Sequence, residues 1–350
     1  MSSTTESVAT GQVARWWERC ADGRVRCVLC PRFCTLRDGQ RGFCFVRANS
    51  GGELRLTTYG RSSGFAIDPV EKKPLNHFLP GSRVLSFGTA GCNLGCKFCQ
   101  NWEISKSREW DSLAAEALPE EIASAAASSA CASVAFTYND PVIFAEYAID
   151  TARACRAKGI HPIAVTAGYI EPSPAREVFA SMDAANIDLK GFTEDFYRKV
   201  TGGRLSTVLK TLQIAQDSGC WVEITTLLIP GLNDSDEEIA AMAEWIVSHL
   251  GPDVPHHFSA FHPDFRMMDR PPTPPETLKR AREIAMRSGE HFVYTGNISD
   301  PRGQSTYCPR CGAVAVKRNW YVTEVVGVNA RADGTGTCTH CGTKLPGVWR

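Results

Sequence analysis

The chain has 350 residues, 43% hydrophobic and 22% charged, enough for one large core with appendages or for two to three domains. Its 38 basic and 38 acidic side chains cancel, which argues against a nucleic-acid or membrane-surface binder. No apolar run approaches the ~18 residues of a spanning helix, and the polar opening "MSSTTESVATGQVARWWERC" lacks a signal-peptide core, so a cytoplasmic protein without membrane partners is expected.

Taken in chain order, the sequence predicts an N-terminal Cys-rich segment (1–80), a central α/β unit (81–298) and a C-terminal module (299–350). The opening reads as a polar lead into a short helix. Fifteen cysteines without an export signal point to metal rather than disulfides, and eleven of them fall into three clusters. In the first cluster, "CVLCPRFC" and "GQRGFC" supply Cys27, Cys30, Cys34 and Cys44. Four thiolates suit either tetrahedral zinc or a second iron–sulfur cluster, and the proline inside the run leans towards iron–sulfur. Cys20, just ahead of this run, is left unassigned.

From about residue 84 to 294, short β-rich runs alternate with amphipathic segments. The strand candidates are "RVLSFGT", "ASVAFTY", "IHPIAVTAGY", "AANIDLKGF", "CWVEITTLLIPG", "HHFSAF" and "HFVYTG". Helical segments such as "PEEIASAAASSACA" and "RLSTVLKTLQIAQDSG" lie between them, several ending in glycine. Such alternation implies parallel strands with helical crossovers, and six or seven units suggest a partial (β/α) barrel. Cys131, Cys155 and Cys220 lie in or beside apolar patterns and are expected in the core.

The second cluster, "GCNLGCKFCQNW", follows the first of these strands and supplies Cys92, Cys96 and Cys99. Reactive groups of β/α barrels gather on loops after the strands. Three thiolates can hold three irons of a cubane and leave the fourth for a bound molecule, an open position of the kind that catalytic metals keep. The later loops of the same end are polar as well: "TYNDP", "TAGY", "DLKG", "IPGLND", "FHPDF" and "TGN". They offer Tyr169, His262, Asp264 and Arg266 as candidates for substrate contact. Gly231, Asn233 and Asp234 form either a turn near a bound adenine or a turn of structural meaning only.

The third cluster, "CPRCG" and "CTHCG", supplies Cys308, Cys311, Cys338 and Cys341 across a β-rich stretch. Glycine after each second cysteine lets the backbone turn its amides towards sulfur. The pattern predicts a zinc-ribbon or rubredoxin-like module with zinc, or less readily iron, closed at four ligands; His340 is a bystander.

The C-x3-C-x2-C spacing, with Phe98 before the last cysteine, resembles the radical S-adenosylmethionine (radical SAM) superfamily. Across nearly the whole chain, "CVLCPRFC…GQRGFCFVRAN", "VEKKPLNHFLPGSRVLSFGTAGCNLGCKFCQNWEISK", "TYNDP", "IDLKGF", "VEITTLLIPGLND", "FHPDFRM", "YTGN" and "CTHCGTKLPGVW" together look like the radical SAM proteins of the AmmeMemoRadiSam system, relatives of the pyruvate formate-lyase activating enzymes. Asp140 stands where that family favours glutamate. The resemblance implies that Cys92, Cys96 and Cys99 ligate a catalytic [4Fe–4S] cluster. It places Asn139 and Asp140 near the methionyl ammonium of S-adenosylmethionine, and Phe98, Asp188 and Lys190 beside the cofactor. Asp188 could instead cap the following helix, and Lys190 could be a solvated lysine. A flavodoxin- or ferredoxin-like electron donor is implied as a partner. So is a substrate that is a glycyl-radical enzyme, a small molecule, or a protein handled with companion proteins. Sulfur insertion, with the N-terminal cluster as sulfide source, is a further outcome. The reading from a different class is an iron–sulfur electron carrier without substrate turnover.

Overall fold

In the computed structural model, residues 11–106 and 115–350 are described. Eight strands form one sheet: β1 (Phe65–Pro69), β2 (Arg83–Phe87), β3 (Ser133–Phe136), β4 (His161–Thr166), β5 (Ala184–Asp188), β6 (Trp221–Leu228), β7 (His256–Ala260) and β8 (Val293–Gly296). They lie in chain order across the sheet. Neighbours from β2 to β8 are parallel. Between them run α1 (Pro119–Ser128), α2 (Ala145–Arg156), α3 (Pro172–Ala180), α4 (Leu205–Asp217), α5 (Asp236–His249) and α6 (Pro275–Arg287). The sheet is open: β1 and β8 are its two edges among the described residues. It is therefore an α/β unit with a mainly parallel sheet and seven parallel strands, at the upper limit of the expected number.

The local reasons are visible in the sequence. Helix-covered parallel strands are buried on both faces and read as apolar runs, as in "SVAF" of β3, all four of whose residues are buried. Helix α5 starts at Ser235, whose hydroxyl accepts from the Glu238 amide (3.2 Å), and carries three acidic residues in its first turn. Proline at the first turn of α1, α3 and α6 presets the backbone where no amide partner is needed. One strand went unforeseen. β1 pairs antiparallel with β2, but its exposed Phe65 and Ile67, with Asp68 and Pro69, mask the strand pattern.

The N-terminal segment departs from expectation. The predicted helix before Cys20 is replaced by the short strands Gln12–Val13 and Trp17–Arg19, each paired in a small antiparallel sheet. Those sheets share one core with the parallel sheet, in which Val25, Leu36 and Leu54 pack with Phe87, Phe136 and Tyr147. Arg47 crosses this boundary fully buried. Its Nη1 donates to Glu146 of α2 (3.0 Å), its Nη2 to the other oxygen of the same carboxylate, and its Nε to the Ile143 carbonyl (3.0 Å). The fork-on-fork geometry satisfies both charges, which a buried ion pair requires. Cys131, Cys155 and Cys220 are core residues, as expected.

Residues beyond 305 form two three-stranded antiparallel sheets. They are tied to the central unit by Val348, whose amide donates to the His77 carbonyl (2.7 Å) while its carbonyl accepts from Leu79 (2.7 Å). Beneath this contact lies a buried polar cluster. The Glu223 carboxylate accepts from the amides of Asn76 (2.9 Å) and His77 (2.7 Å) and pairs with His257 (2.7 Å). The His77 ring meets the Pro346 carbonyl (2.7 Å) and the Tyr294 hydroxyl (2.6 Å). No described helix is long and apolar enough to cross a membrane.

Candidate functional site

The C-terminal ends of the strands surround a cavity of about 260 Å³. Its wall carries Cys92, Cys96, Cys99 and Phe98 from the loop after β2, Asn139 and Asp140 from the loop after β3, Asp188 at the end of β5 and Lys190 just beyond it. The eight residues that the resemblance assigns to cluster and cofactor thus line one space. Leu94, Val165 and Leu227 add apolar surface, and Thr225, Ser259 and Asn297 add polar groups. The Thr225 hydroxyl is buried and without a hydrogen-bond partner among the described residues, a donor left for something in the cavity.

The cysteine loop is held from several sides. The amide of Gly95 donates to the Thr201 carbonyl (2.8 Å), that of Lys97 to Val200 (3.0 Å), and the carbonyl of Lys97 accepts from Arg266 (3.0 Å). Thr201 and Val200 belong to a single π-turn, Tyr197–Thr201, an irregularity common at functional sites. The Leu94 amide points at the Cys92 sulfur (3.4 Å). No three of Cys92, Cys96, Cys99 and the surrounding acids and histidines close to within 4.8 Å of one another, whereas the C-terminal cysteines do. The three thiols therefore line a space instead of converging on one point.

Asn139 and Asp140 have work of their own. Asn139 Oδ1 accepts from the Thr89 amide (3.0 Å), and its Nδ2 donates to Thr89 Oγ1 (3.0 Å) and to the carbonyls of Ala90 (3.2 Å) and Gly91 (3.0 Å). Its side chain thus shapes the backbone leading into Cys92. Asp140 Oδ1 accepts from the Val142 amide (3.0 Å) and from the Thr166 hydroxyl (2.8 Å), and Oδ2 from the Ala167 amide (2.9 Å). Burial raises its carboxyl above the ordinary range, and those donors oppose the rise. Just before them Tyr138 has φ of +69°, a left-handed conformation that costs a non-glycine residue roughly 1–2 kcal/mol and is typical of functional loops.

Lys190 donates to Asp188 Oδ2 (2.7 Å) and stands 5.7 Å from the centre of the Phe98 ring. Burial would lower its pKa, but Asp188 and the Cys96 sulfur outweigh burial and hold it above the ordinary lysine value. It is no solvated surface lysine, and Asp188 does not cap a helix: the next one, Glu194–Phe196, is capped by Thr193. A fixed positive charge therefore sits beside the thiols.

Other candidates fall elsewhere. Tyr169, His262, Asp264 and Arg266 do not line the cavity. Tyr169 is buried and gives its carbonyl to Asn93 (2.7 Å); Asp264 accepts from its neighbour Phe265 (2.6 Å). Nor do Gly231, Asn233 and Asp234 reach it. Asn233 instead joins the loops after β5 and β6, donating to the carbonyls of Lys190 (2.8 Å) and Leu227 (2.9 Å). Phe98 lines the cavity, whereas Trp102 is half-exposed and stacks on Phe265 (5.6 Å), and Phe136 lies in the core. Sequence reasoning missed Gly88, where a Cβ would strike the Thr137 carbonyl and the Asn139 side chain. The glycine inside "FGTAGC" was its signal.

Outside the cavity wall, Cys308, Cys311, Cys338 and Cys341 all lie within 4.8 Å of one another. The Cys308–Cys341 and Cys311–Cys338 sulfur separations are 3.6 and 3.8 Å. Sulfurs bonded tetrahedrally to one ion at Zn–S distances stand about 3.8 Å apart. Gly312 and Gly342 have φ of +72° and +73°, the conformation that folds each knuckle back on itself.

The model of the radical SAM superfamily matches residues 87–246, the span that carries the cysteine loop and the strands up to β6. A Methanocaldococcus jannaschii protein described as uncharacterised is 40% identical over 332 residues, 95% of this chain and 98% of the other. The pyruvate formate-lyase-activating enzyme of Clostridium pasteurianum is 28% identical over 172 residues, covering 48% of this chain and 70% of the enzyme. Among solved structures, a domain of pyruvate-formate lyase-activating enzyme from Bacteroides vulgatus matches 47% of this chain and 98% of its own, with a TM-score of 0.42 and 21% identity.

Proposed function

Because this chain carries a radical SAM domain over residues 87–246, we propose that Cys92, Cys96 and Cys99 hold a [4Fe–4S] cluster with one iron left for S-adenosylmethionine, and that the protein is a radical-generating enzyme. When bound, this cluster supplies the electron that splits the cofactor's S–C5′ bond into methionine and a 5′-deoxyadenosyl radical able to take hydrogen from a substrate. The observation that carries the reading is the placement of three thiols, too far apart for one ion, on the wall of the cavity ringed by the strand ends.

The chain's own residues divide the remaining tasks. Lys190, oriented by Asp188, presents positive charge to the thiolates and to a carboxylate in the cavity. Thr225 offers a free hydroxyl. Asn139 positions the approach to Cys92, and Asp140 locks the loops after β3 and β4 together. Leu94, Phe98, Val165 and Leu227 exclude water from a space in which a primary radical would react with whatever it meets. An electron carrier needs no such space, so the cavity favours the enzyme. The C-terminal four cysteines take structural zinc in this reading. The similarity to pyruvate formate-lyase-activating enzymes supports a glycyl residue of a partner protein as the hydrogen donor. A low-potential one-electron donor protein completes the system.

The test is spectroscopic. Anaerobically reconstituted, reduced protein should show a cluster signal in electron paramagnetic resonance that shifts when S-adenosylmethionine is added. A signal indifferent to saturating S-adenosylmethionine would overturn the open-iron assignment.

A further inference from the structure

We propose that Cys27, Cys30, Cys34 and Cys44 hold a second iron–sulfur cluster, closed by four protein ligands, that passes electrons to the site at Cys92, Cys96 and Cys99. The relay role rests on the radical SAM reading; the cluster itself does not.

All four N-terminal thiols line one small cavity, with apolar walls from Leu29, Leu36 and Ile143. As in the catalytic loop, no three of them approach within 4.8 Å of one another. The C-terminal set provides an internal contrast, because the same chain brings four thiols to single-ion spacing there. The N-terminal thiols are spread around a volume, as the ligands of a polynuclear cluster are. The buried Arg47, paired with Glu146, lies in the same wall. The Phe43 amide points at the Cys34 sulfur (3.5 Å). Asn93 reaches the wall with a buried Oδ1 that has no hydrogen-bond partner among the described residues.

Asn93 also identifies the neighbour, since it follows Cys92 in the catalytic loop. Arg32 Nε donates to its carbonyl (2.6 Å). On the other side of Cys92, a Cβ at Gly91 would run into the Cys44 carbonyl, so glycine alone lets the two segments touch. The ligand Cys92 is therefore flanked in sequence by two residues packed on the N-terminal cysteine pocket. Four thiolates leave no iron open, so this cluster binds no substrate. Its outer edge is Cys34, half-buried, opening on a surface groove with Arg32 and Arg204. One electron enters from a low-potential donor protein and leaves to the catalytic cluster. The second cluster is reduced and then reoxidised, and no bond or proton moves.

The full-length chain carrying Cys92→Ala, Cys96→Ala and Cys99→Ala together, reconstituted anaerobically with iron, sulfide and zinc, tests the site. It should keep about four irons and four sulfides together with zinc, and lose iron and sulfide when Cys34→Ser is added. Zinc without acid-labile sulfide in the triple variant would overturn the cluster. For the relay, stopped-flow reduction of otherwise wild-type protein by a reduced flavodoxin should be slowed by an order of magnitude or more in Cys34→Ser, and a small chemical reductant should bypass the defect. An unchanged flavodoxin-driven rate would overturn it. If the second cluster is present and reducible but wild-type protein never cleaves S-adenosylmethionine, the radical SAM reading fails and the second cluster stands.

Discussion

Replacing Asn139 by aspartate is nearly isosteric and separates positioning from cofactor contact. The oxygen that accepts from the Thr89 amide survives. The nitrogen that donates to Thr89 Oγ1, Ala90 and Gly91 becomes a carboxylate oxygen, facing two carbonyls that stood 3.2 and 3.0 Å from a donor. The two hydrogen bonds to the carbonyls, at about 1 kcal/mol each, are lost, while the Thr89 hydroxyl can turn and donate to the new oxygen, so the native loop is destabilised by roughly 2 kcal/mol before the repulsion is counted. That is more than an order of magnitude in the population of the loop presenting Cys92. Asn139→Asp should therefore bind markedly less iron and sulfide on anaerobic reconstitution, although its size is unchanged. If Asn139 served only as an acceptor for a cofactor ammonium, the added negative charge would leave cluster content intact and tighten the cofactor. Wild-type iron content in this variant would refute the reasoning.

Gly88→Ala should produce the same loss by a different route, since its methyl group strikes the Thr137 carbonyl and the Asn139 side chain; a cost of about 1–3 kcal/mol is expected, read by thermal melting and iron content. Lys190→Met keeps the length and removes the charge, and should weaken S-adenosylmethionine binding by about 1.5–3 kcal/mol in equilibrium titration while the cluster is retained. Cys341→Ser should release zinc and lower the melting temperature, and a melt unchanged by it would count against a structural ribbon. Acid should loosen the contact between that module and the strands. Burial holds the His77 pKa down at about 4, against an ordinary 6.5, so the unfolded chain binds the proton first. Its stability contribution is complete above pH 6.5 and is lost as pH falls towards 4, by about 3 kcal/mol. Glu223, whose histidine and amide donors outweigh the burial that would raise it, is held below its ordinary value and adds to the loss below pH 4.5. Melts across pH 7 to 4 check this, and a pH-independent melting temperature would contradict it.

The parallel strands were legible because double burial writes uninterrupted apolar runs, and the cysteine loop because thiol spacing is a covalent property of the chain. The C-terminal module was legible for the second reason. What stayed hidden was set by tertiary context. β1 carries exposed apolar residues beside an aspartate and a proline, so its pattern resembles a loop until β2 pairs with it. "ARWWERC" has helical character in isolation, yet tertiary pairing draws the Trp17–Arg19 stretch into a hairpin with Val25–Cys27. At the site, the family resemblance singled out Asn139 and Asp140 but not what they hold, because their partners at 89–91 and 166–167 come together only through the sheet. His262 and Asp264 illustrate the converse: polar residues on a loop at the right end of a strand need not turn into the cavity.

The central claim is that an iron left open by Cys92, Cys96 and Cys99 binds and splits S-adenosylmethionine. The most direct measurement is 5′-deoxyadenosine formed by anaerobically reconstituted, fully reduced protein, quantified chromatographically beside the Cys96→Ala variant. The account predicts 5′-deoxyadenosine and methionine in equal amounts from the wild type and neither from the variant. No 5′-deoxyadenosine from wild-type protein with verified cluster content, or equal formation by the variant, would contradict it.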